Sequence, residues 1–148
     1  MATFFTRIRK QKSYIGEIKT EVLHSDSTPV SDTTNYTDIM KQSIFVAAPR
    51  GDNLFSYRFS EILSAGSVPV VYADGWLPPF NEKVVDWSKC AVFTPEKDFD
   101  KTRDILLTIS EEEQCNMQKC ALHIWDNYAS SRAGWLRGLI EVAESSVT

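Results

Sequence analysis

Three short apolar runs, each closed by proline or a turn signal, organise the middle of the chain: SIFVAAP (Ser43 to Pro49), VPVVYA (Val68 to Ala73) and CAVFTP (Cys90 to Pro95). Continuous apolar runs of this length predict strands buried on both faces, as in parallel sheets. Between the first two, Phe59, Ile62, Leu63 and Gly66 fall at i, i+3, i+4 and i+7, which predicts a helix from Ser56 to Ala65 with Ser56 as its N-cap. YTDIMKQS, ahead of the first run, reads as a short helix. Ser110 with Glu113 forms a capping box opening a helix through Tyr128, and Arg132 to Ala143 is amphipathic. That last helix sets Trp135, Leu136, Leu139, Ile140 and Ala143 on one side, a face expected to stay partly exposed. Nearer the amino end, SYIGEI (Ser13 to Ile18) predicts a short strand and HSDSTPVSDTTN (His24 to Asn35) a loop. Strands alternating with helices imply parallel pairing with right-handed crossovers, hence an α/β fold with a three-layer, Rossmann-like parallel sheet. No repeat or linker divides the chain, so residues 1–148 are read as one domain.

Composition limits what this domain can do. With 148 residues, 43% hydrophobic and 24% charged, a packed core is expected. A formal charge of -4 argues against a general nucleic-acid binder, so any anion site must be local. No apolar stretch reaches the ~20 residues needed to span a bilayer. MATFFTRIRKQK places its phenylalanines before its basic residues, the reverse of a secretory signal, and the chain is read as soluble. Cys90, Cys115 and Cys120 lack metal spacing, and Cys115 and Cys120 do not share a helix face. Buried or idle thiols are expected, rather than zinc or a redox pair.

The candidate chemistry lies in PRGDNLFSYRFSE, Pro49 to Glu61, where a strand gives way to a loop and then to a helix start. In parallel sheets ligands bind beyond the carboxyl ends of the strands, where a helix N-terminus offers unpaired N–H groups and a positive dipole end. Gly51 allows close backbone approach, and the Arg50 guanidinium can fork onto phosphate oxygens. Arg58 and Glu61, three apart, are neighbours on the helix. A carboxylate beside phosphate makes sense as an acceptor for sugar hydroxyls. The plainer reading is a solvated surface pair worth little. GxGxxG and GxxxxGK[ST] are both absent, so neither a dinucleotide fingerprint nor a P-loop is present.

SIFVAAPRGDNLFSYRFSEILSAGSVPVVYADGWLPPFNEKVVDWSKCAVF resembles the exostosin family of glycosyltransferases, whose pattern runs S-x-F-x-x-x-P-R-G-x-x-x-x-S-x-R-x-x-E-x-L-x-x-G-x-x-P-V and then a Gly-Trp, Leu-Pro-Phe-like loop. The likeness continues through ILLTIS and HIWDNYASS and back to SYIGEI. It implies the carboxyl-terminal, donor-binding half of a GT-B glycosyltransferase that takes a nucleotide-sugar, usually a UDP-sugar. Carried over, the resemblance has Arg50 and Arg58 facing the pyrophosphate, Ser56 and the helix start donating to it, Gly51 leaving the backbone open to it, and Glu61 accepting from the ribose. Asp74, Gly75 and Trp76 line the donor sugar. The implied reaction is inverting transfer to a glycan or polysaccharide acceptor. No Asp-x-Asp stands in that region to hold a cation, and no tightly bound cofactor is implied. No general base can be named here: His24 and His123, the two histidines, read as solvated and structural.

The family's amino-terminal acceptor domain and Golgi membrane anchor have no counterpart in these residues, so that domain or a partner subunit is an implied partner. Two readings stay open, a donor-binding part of an enzyme and an inactive fragment or interaction module that keeps the fold. Val46 or Ala47, and Ser67, stand where the family often has cysteine, which weakens the expectation of a lumenal disulfide, and Pro79 is an extra proline in the LPPF loop. The glycosylation sequon NYT (Asn35 to Thr37) would suit a lumenal protein but is too short to decide anything.

Overall fold

The structure, a computed structural model, describes residues 5–8 and 20–23 by their backbone, Thr37, and residues 40–147. Strands β1 (Phe5–Ile8) and β2 (Thr20–Leu23) pair antiparallel, with Phe5 opposite Leu23 and Ile8 opposite Thr20. Neither was expected from the hydropathy pattern. The expected strand at residues 13–18 and loop at 24–35 lie outside the described residues, as does Asn35 of the sequon. Of the expected short helix, Thr37 and residues 40–42 are described and helical.

The three apolar runs form one parallel sheet in the order β3 (Phe45–Pro49), β4 (Val68–Tyr72), β5 (Val92–Phe93). Phe45 is in register with Val68 and Pro49 with Tyr72, while Val70 and Val71 meet Val92 and Phe93. The third strand is shorter than CAVFTP suggested. Its first two amides are used elsewhere: Cys90 N and Ala91 N both donate to Trp87 O, at 3.1 and 3.0 Å, closing a 3-10 turn over Trp87–Lys89.

Side chains alternate across a strand, so each face of the sheet collects its own apolar cluster. Val46, Ala48 and Val71 pack with Phe59, Ile62 and Leu63 of helix α1 (Tyr57–Ser64). Phe45, Ala47, Val70 and Tyr72 pack with Leu106 of α2 (Thr102–Leu107) and Met117 of α3 (Glu111–Ile124). Cover on both faces is the physical reason that the strands read as unbroken apolar runs.

The helix ends follow their sequence signals. Ser56 caps α1 through its Oγ, which accepts from Arg58 N. At the other end Gly66 takes φ 69°, open to glycine at no steric cost, and Gly66 N and Ser67 N donate to Leu63 O and Ile62 O in a Schellman turn. The buried Ser67 hydroxyl contacts two carbonyls, Met40 O at 2.6 Å and Ser43 O at 2.8 Å, and so ties the turn at 40–42 to the start of β4. Ser110 and Glu113 make the full capping box at α3. Beyond Ile124 that helix widens into a π turn over Trp125–Ala129, where Ser130 N reaches Trp125 O at 2.8 Å.

One expectation holds and another is corrected. The last helix, α4 (Arg132–Val147), buries Gly134 and Gly138, and its leucine-bearing side stays partly exposed as expected, with Leu136 58% exposed. Small residues let the helix approach its neighbours closely: the Phe80 ring lies against Gly138, and an added Cβ at Gly134 would stand 2.6 Å from Asn127 O. The correction concerns the cysteines, which are not all idle thiols. Cys90 and Cys120 form a disulfide with their Cα atoms 5.1 Å apart, and the free Cys115 is exposed. Spacing along a chain says nothing about which distant cysteines meet, and the turn after Trp87 brings Cys90 against the inner side of α3.

Candidate functional site

The carboxyl ends of β3, β4 and β5 deliver Arg50, Asp74 and Glu96 to one corner. Arg50 N donates to Tyr72 O at 3.0 Å, extending the ladder by one step and fixing where its side chain leaves the sheet. The guanidinium, about half exposed, meets Glu96 through Nε at 3.0 Å from Oε1. The same Oε1 accepts from Asp74 N at 3.2 Å, and Glu96 N donates back to Asp74 Oδ1 at 3.2 Å. Gly51 beside it is exposed, and a Cβ there would meet nothing within 4 Å, so the backbone can be approached closely.

The second group stands on α1. Ser56 spends its Oγ on the cap, and Arg58 and Glu61 form the expected i,i+3 pair, Nε to Oε2 at 3.6 Å. The two are unequally placed. Arg58 is 28% exposed and Glu61 53%, so the arginine is the more buried of the two while the carboxylate stays at the rim. Burial holds the Arg58 guanidinium below its ordinary value, and the Glu61 carboxylate partly offsets that. An arginine so shifted still carries its charge at neutral pH. The pair therefore differs from a fully solvated one in that its cation is half-desolvated and lies near a capped helix N-terminus, whose positive dipole end also favours anions.

Trp76 joins the two groups. Asp74 and Gly75 turn the chain after β4, with Gly75 at φ 79°, and Trp76 then packs edge-on against Phe59 of α1 with ring centroids 4.9 Å apart. Phe55 and Phe93 flank it, each at 6.4 Å. A recess opens between the ends of β4 and β5, lined by Val71, Ala73, Asp74, Gly75, Phe93 and Thr94. Thr94 is buried, and its hydroxyl has no hydrogen-bond partner among the described residues.

Arg50 and Asp74 are thus brought together through Glu96, Arg58 and Glu61 through their helix, and Trp76 rests between. Glu96 and Thr94 escaped the sequence reading. They lie just past the last strand, in FTPE, which carries no motif by itself. Knowing that β5 sits beside β4 is what would have drawn attention to them. Of the two histidines, His24 lies outside the described residues, and exposed His123 is engaged by Asn127 Nδ2 at its carbonyl, 2.8 Å away. Among the described residues no three His, Cys, Asp or Glu side chains gather as a cation site, and the Asp98 carboxylate is taken by Lys101 Nζ at 2.6 Å. No helix of the described residues is long and apolar enough to cross a membrane.

The motif lies within the part of the chain that matches a known family. The profile of the Exostosin GT47 domain matches residues 7–109. The chain is 34% identical over 100 residues to the Exostosin-1 homolog of Caenorhabditis elegans, covering 68% of this chain and 26% of that protein. It is 32% identical over 100 residues to Exostosin-1 of Drosophila melanogaster, covering 68% of this chain and 13% of that one. With Exostosin-2 of Homo sapiens the identity is 34% over 97 residues, 66% of this chain and 13% of the relative. The chain therefore spans about a quarter or less of the length of these relatives.

Proposed function

The chain belongs to the exostosin GT47 family of glycosyltransferase domains, and on that premise we propose that the corner at the ends of β3, β4 and β5 binds a nucleotide-sugar donor, a UDP-sugar in kind. The observation that carries this reading is the half-buried Arg58 at the Ser56-capped start of α1. A departing diphosphate needs positive charge already in place, and a helix N-terminus with two arginines, Arg50 and Arg58, supplies it without reorganisation. Glu61, at the rim, accepts from the ribose hydroxyls, and Gly51 leaves room for the diphosphate. Asp74, Gly75 and Trp76 border the donor sugar: a carboxylate for its hydroxyls and an aromatic surface for its apolar face.

In this scheme the anomeric carbon inverts as the acceptor hydroxyl displaces the diphosphate. The residues described here hold the donor and stabilise the leaving group, and the general base and the acceptor come from a second domain or a partner subunit. Residues 1–148 act as the donor-binding unit. The Cys90–Cys120 disulfide suits an oxidising compartment, which supports a lumenal, Golgi-type setting for this family member.

Calorimetric titration of the chain with UDP and UDP-sugars tests the proposal. Arg58→Ala and Glu61→Ala are each expected to weaken binding by about tenfold or more, about 1.4 kcal/mol. A folded chain that binds no UDP at millimolar concentration would remove the donor site and leave the interaction-module reading.

A further inference from the structure

The sheet order β3-β4-β5 puts the end of β4 between the other two, so any side chain tying the end of β3 to the end of β5 must cross it. Glu96 does this with one oxygen. Its Oε1 takes Arg50 Nε at 3.0 Å and Asp74 N at 3.2 Å, while its own N–H is fixed by Asp74 Oδ1 at 3.2 Å. The carboxylate is thus held at its base by the loop after β4 and holds at its tip the arginine after β3. We infer that Glu96 is a positioning residue for the anion site: it presets Arg50 for a diphosphate. This inference rests on the donor-site reading above.

The atoms used are the argument. A guanidinium bound through Nε keeps its end-on pair, Nη1 and Nη2, for a second partner, and that pair is the fork that matches phosphate oxygens. Arg50 left alone at a half-exposed position would sample many rotamers, and a ligand would have to order it on binding. A carboxylate that has already ordered it removes that cost.

Charge pushes the other way, which makes the effect separable. Glu96 is an anion next to an anion site, so as a mere neighbour it repels the ligand, and its removal would tighten binding. At a partly exposed site that repulsion is screened, whereas loss of a preset fork is not. The sign of the change therefore decides between the two roles.

The test is UDP and inorganic pyrophosphate affinity, measured by calorimetry on the full chain, for Arg50→Ala, Glu96→Ala, Glu96→Gln and the Arg50→Ala/Glu96→Ala double variant, with thermal midpoints confirming that each is folded. Glu96→Ala is expected to bind about five- to tenfold more weakly, in the same direction as Arg50→Ala. The double variant is expected to be no weaker than Arg50→Ala alone, because a residue acting through Arg50 has nothing left to act on. Glu96→Gln, which keeps an acceptor oxygen for both N–H groups, is expected to recover most of the loss. Tighter binding by Glu96→Ala, a loss that adds in full to that of Arg50→Ala, or no change in either variant overturns the inference while leaving the donor site standing. Absence of UDP binding by the wild-type chain overturns the donor reading, and this inference falls with it.

Discussion

At the scale of single residues, the candidate site was legible wherever its geometry is local in sequence. Arg58 and Glu61 announce themselves by their spacing of three, and Ser56 by its place before a periodic apolar face. Their unequal burial was not legible, because what covers a helical side chain comes from other elements. Glu96 was invisible for the same reason, since its partners arrive from two loops far back along the chain. Glycines show the limit most plainly. Gly51 and Gly138 look alike in sequence, yet a Cβ at Gly51 meets open space while one at Gly138 presses into Cε1 and Cζ of Phe80. That ring has little freedom: Phe80 sits at φ 69° and is held by Trp135 and Tyr128 at centroid distances of 5.0 and 5.3 Å. Gly138→Ala gains helix propensity of at most ~1 kcal/mol. Overpacking costs more, so a net loss of about 1–2 kcal/mol is expected from the urea midpoint. Gly51→Ala should leave that midpoint nearly unchanged. Equal midpoints for the two variants would show that the Phe80 loop yields freely.

At the scale of elements, caps and periods read correctly and partners did not. The apolar stripe of α4 was visible and stays partly exposed as expected, but the pattern does not say that the small residues form the buried side. Gly134 and Gly138 won because close approach of a helix backbone to Phe80 and Asn127 is available only where there is no side chain. Helix α3 is the opposite case, with its start written in SEEE. There the Ser110 hydroxyl and N–H hold the Glu113 carboxyl below its ordinary range. A carboxyl whose folded pKa is depressed contributes stability above its unfolded pKa, and that contribution is lost as pH falls through the folded value. Ser110→Ala should therefore lower the thermal midpoint at pH 7, and the gap to wild type should narrow as pH falls below the ordinary glutamate value of ~4.3 and through the lower folded one. A gap independent of pH between 3 and 7, a range set by ~4.3 as the unperturbed glutamate value, would mean that Glu113 takes no part in the cap.

At the scale of the whole molecule, the parallel sheet and its two covered faces followed from three apolar runs, whereas the cross-link joining the elements did not. Three cysteines allow three pairings, and the sequence sets aside only Cys115–Cys120, whose members do not share a helix face. The fold chooses: Cys90 is fully buried where the turn after Trp87 meets α3, and Cys115, five residues before Cys120, faces solvent on the same helix. The Cys90–Cys120 bridge closes a loop of sequence separation 30 that contains β5, Glu96 and α2. Phe93, Thr94 and Glu96, the parts of the site that come from β5 onward, therefore lie inside the loop. By the chain-entropy relation such a loop contributes about 3–4 kcal/mol, chiefly by restricting the unfolded chain. The paired variant Cys90→Ala/Cys120→Ala should lose about that much, together with whatever packing the two sulfurs provide. Cys115→Ala should cost almost nothing. Adding reductant to the wild-type chain should bring its midpoint down toward that of the paired variant and leave the variant itself unmoved. A wild-type midpoint indifferent to reductant would mean that the thiols pack side by side without bonding, and that the end of β5 is held by its core contacts alone.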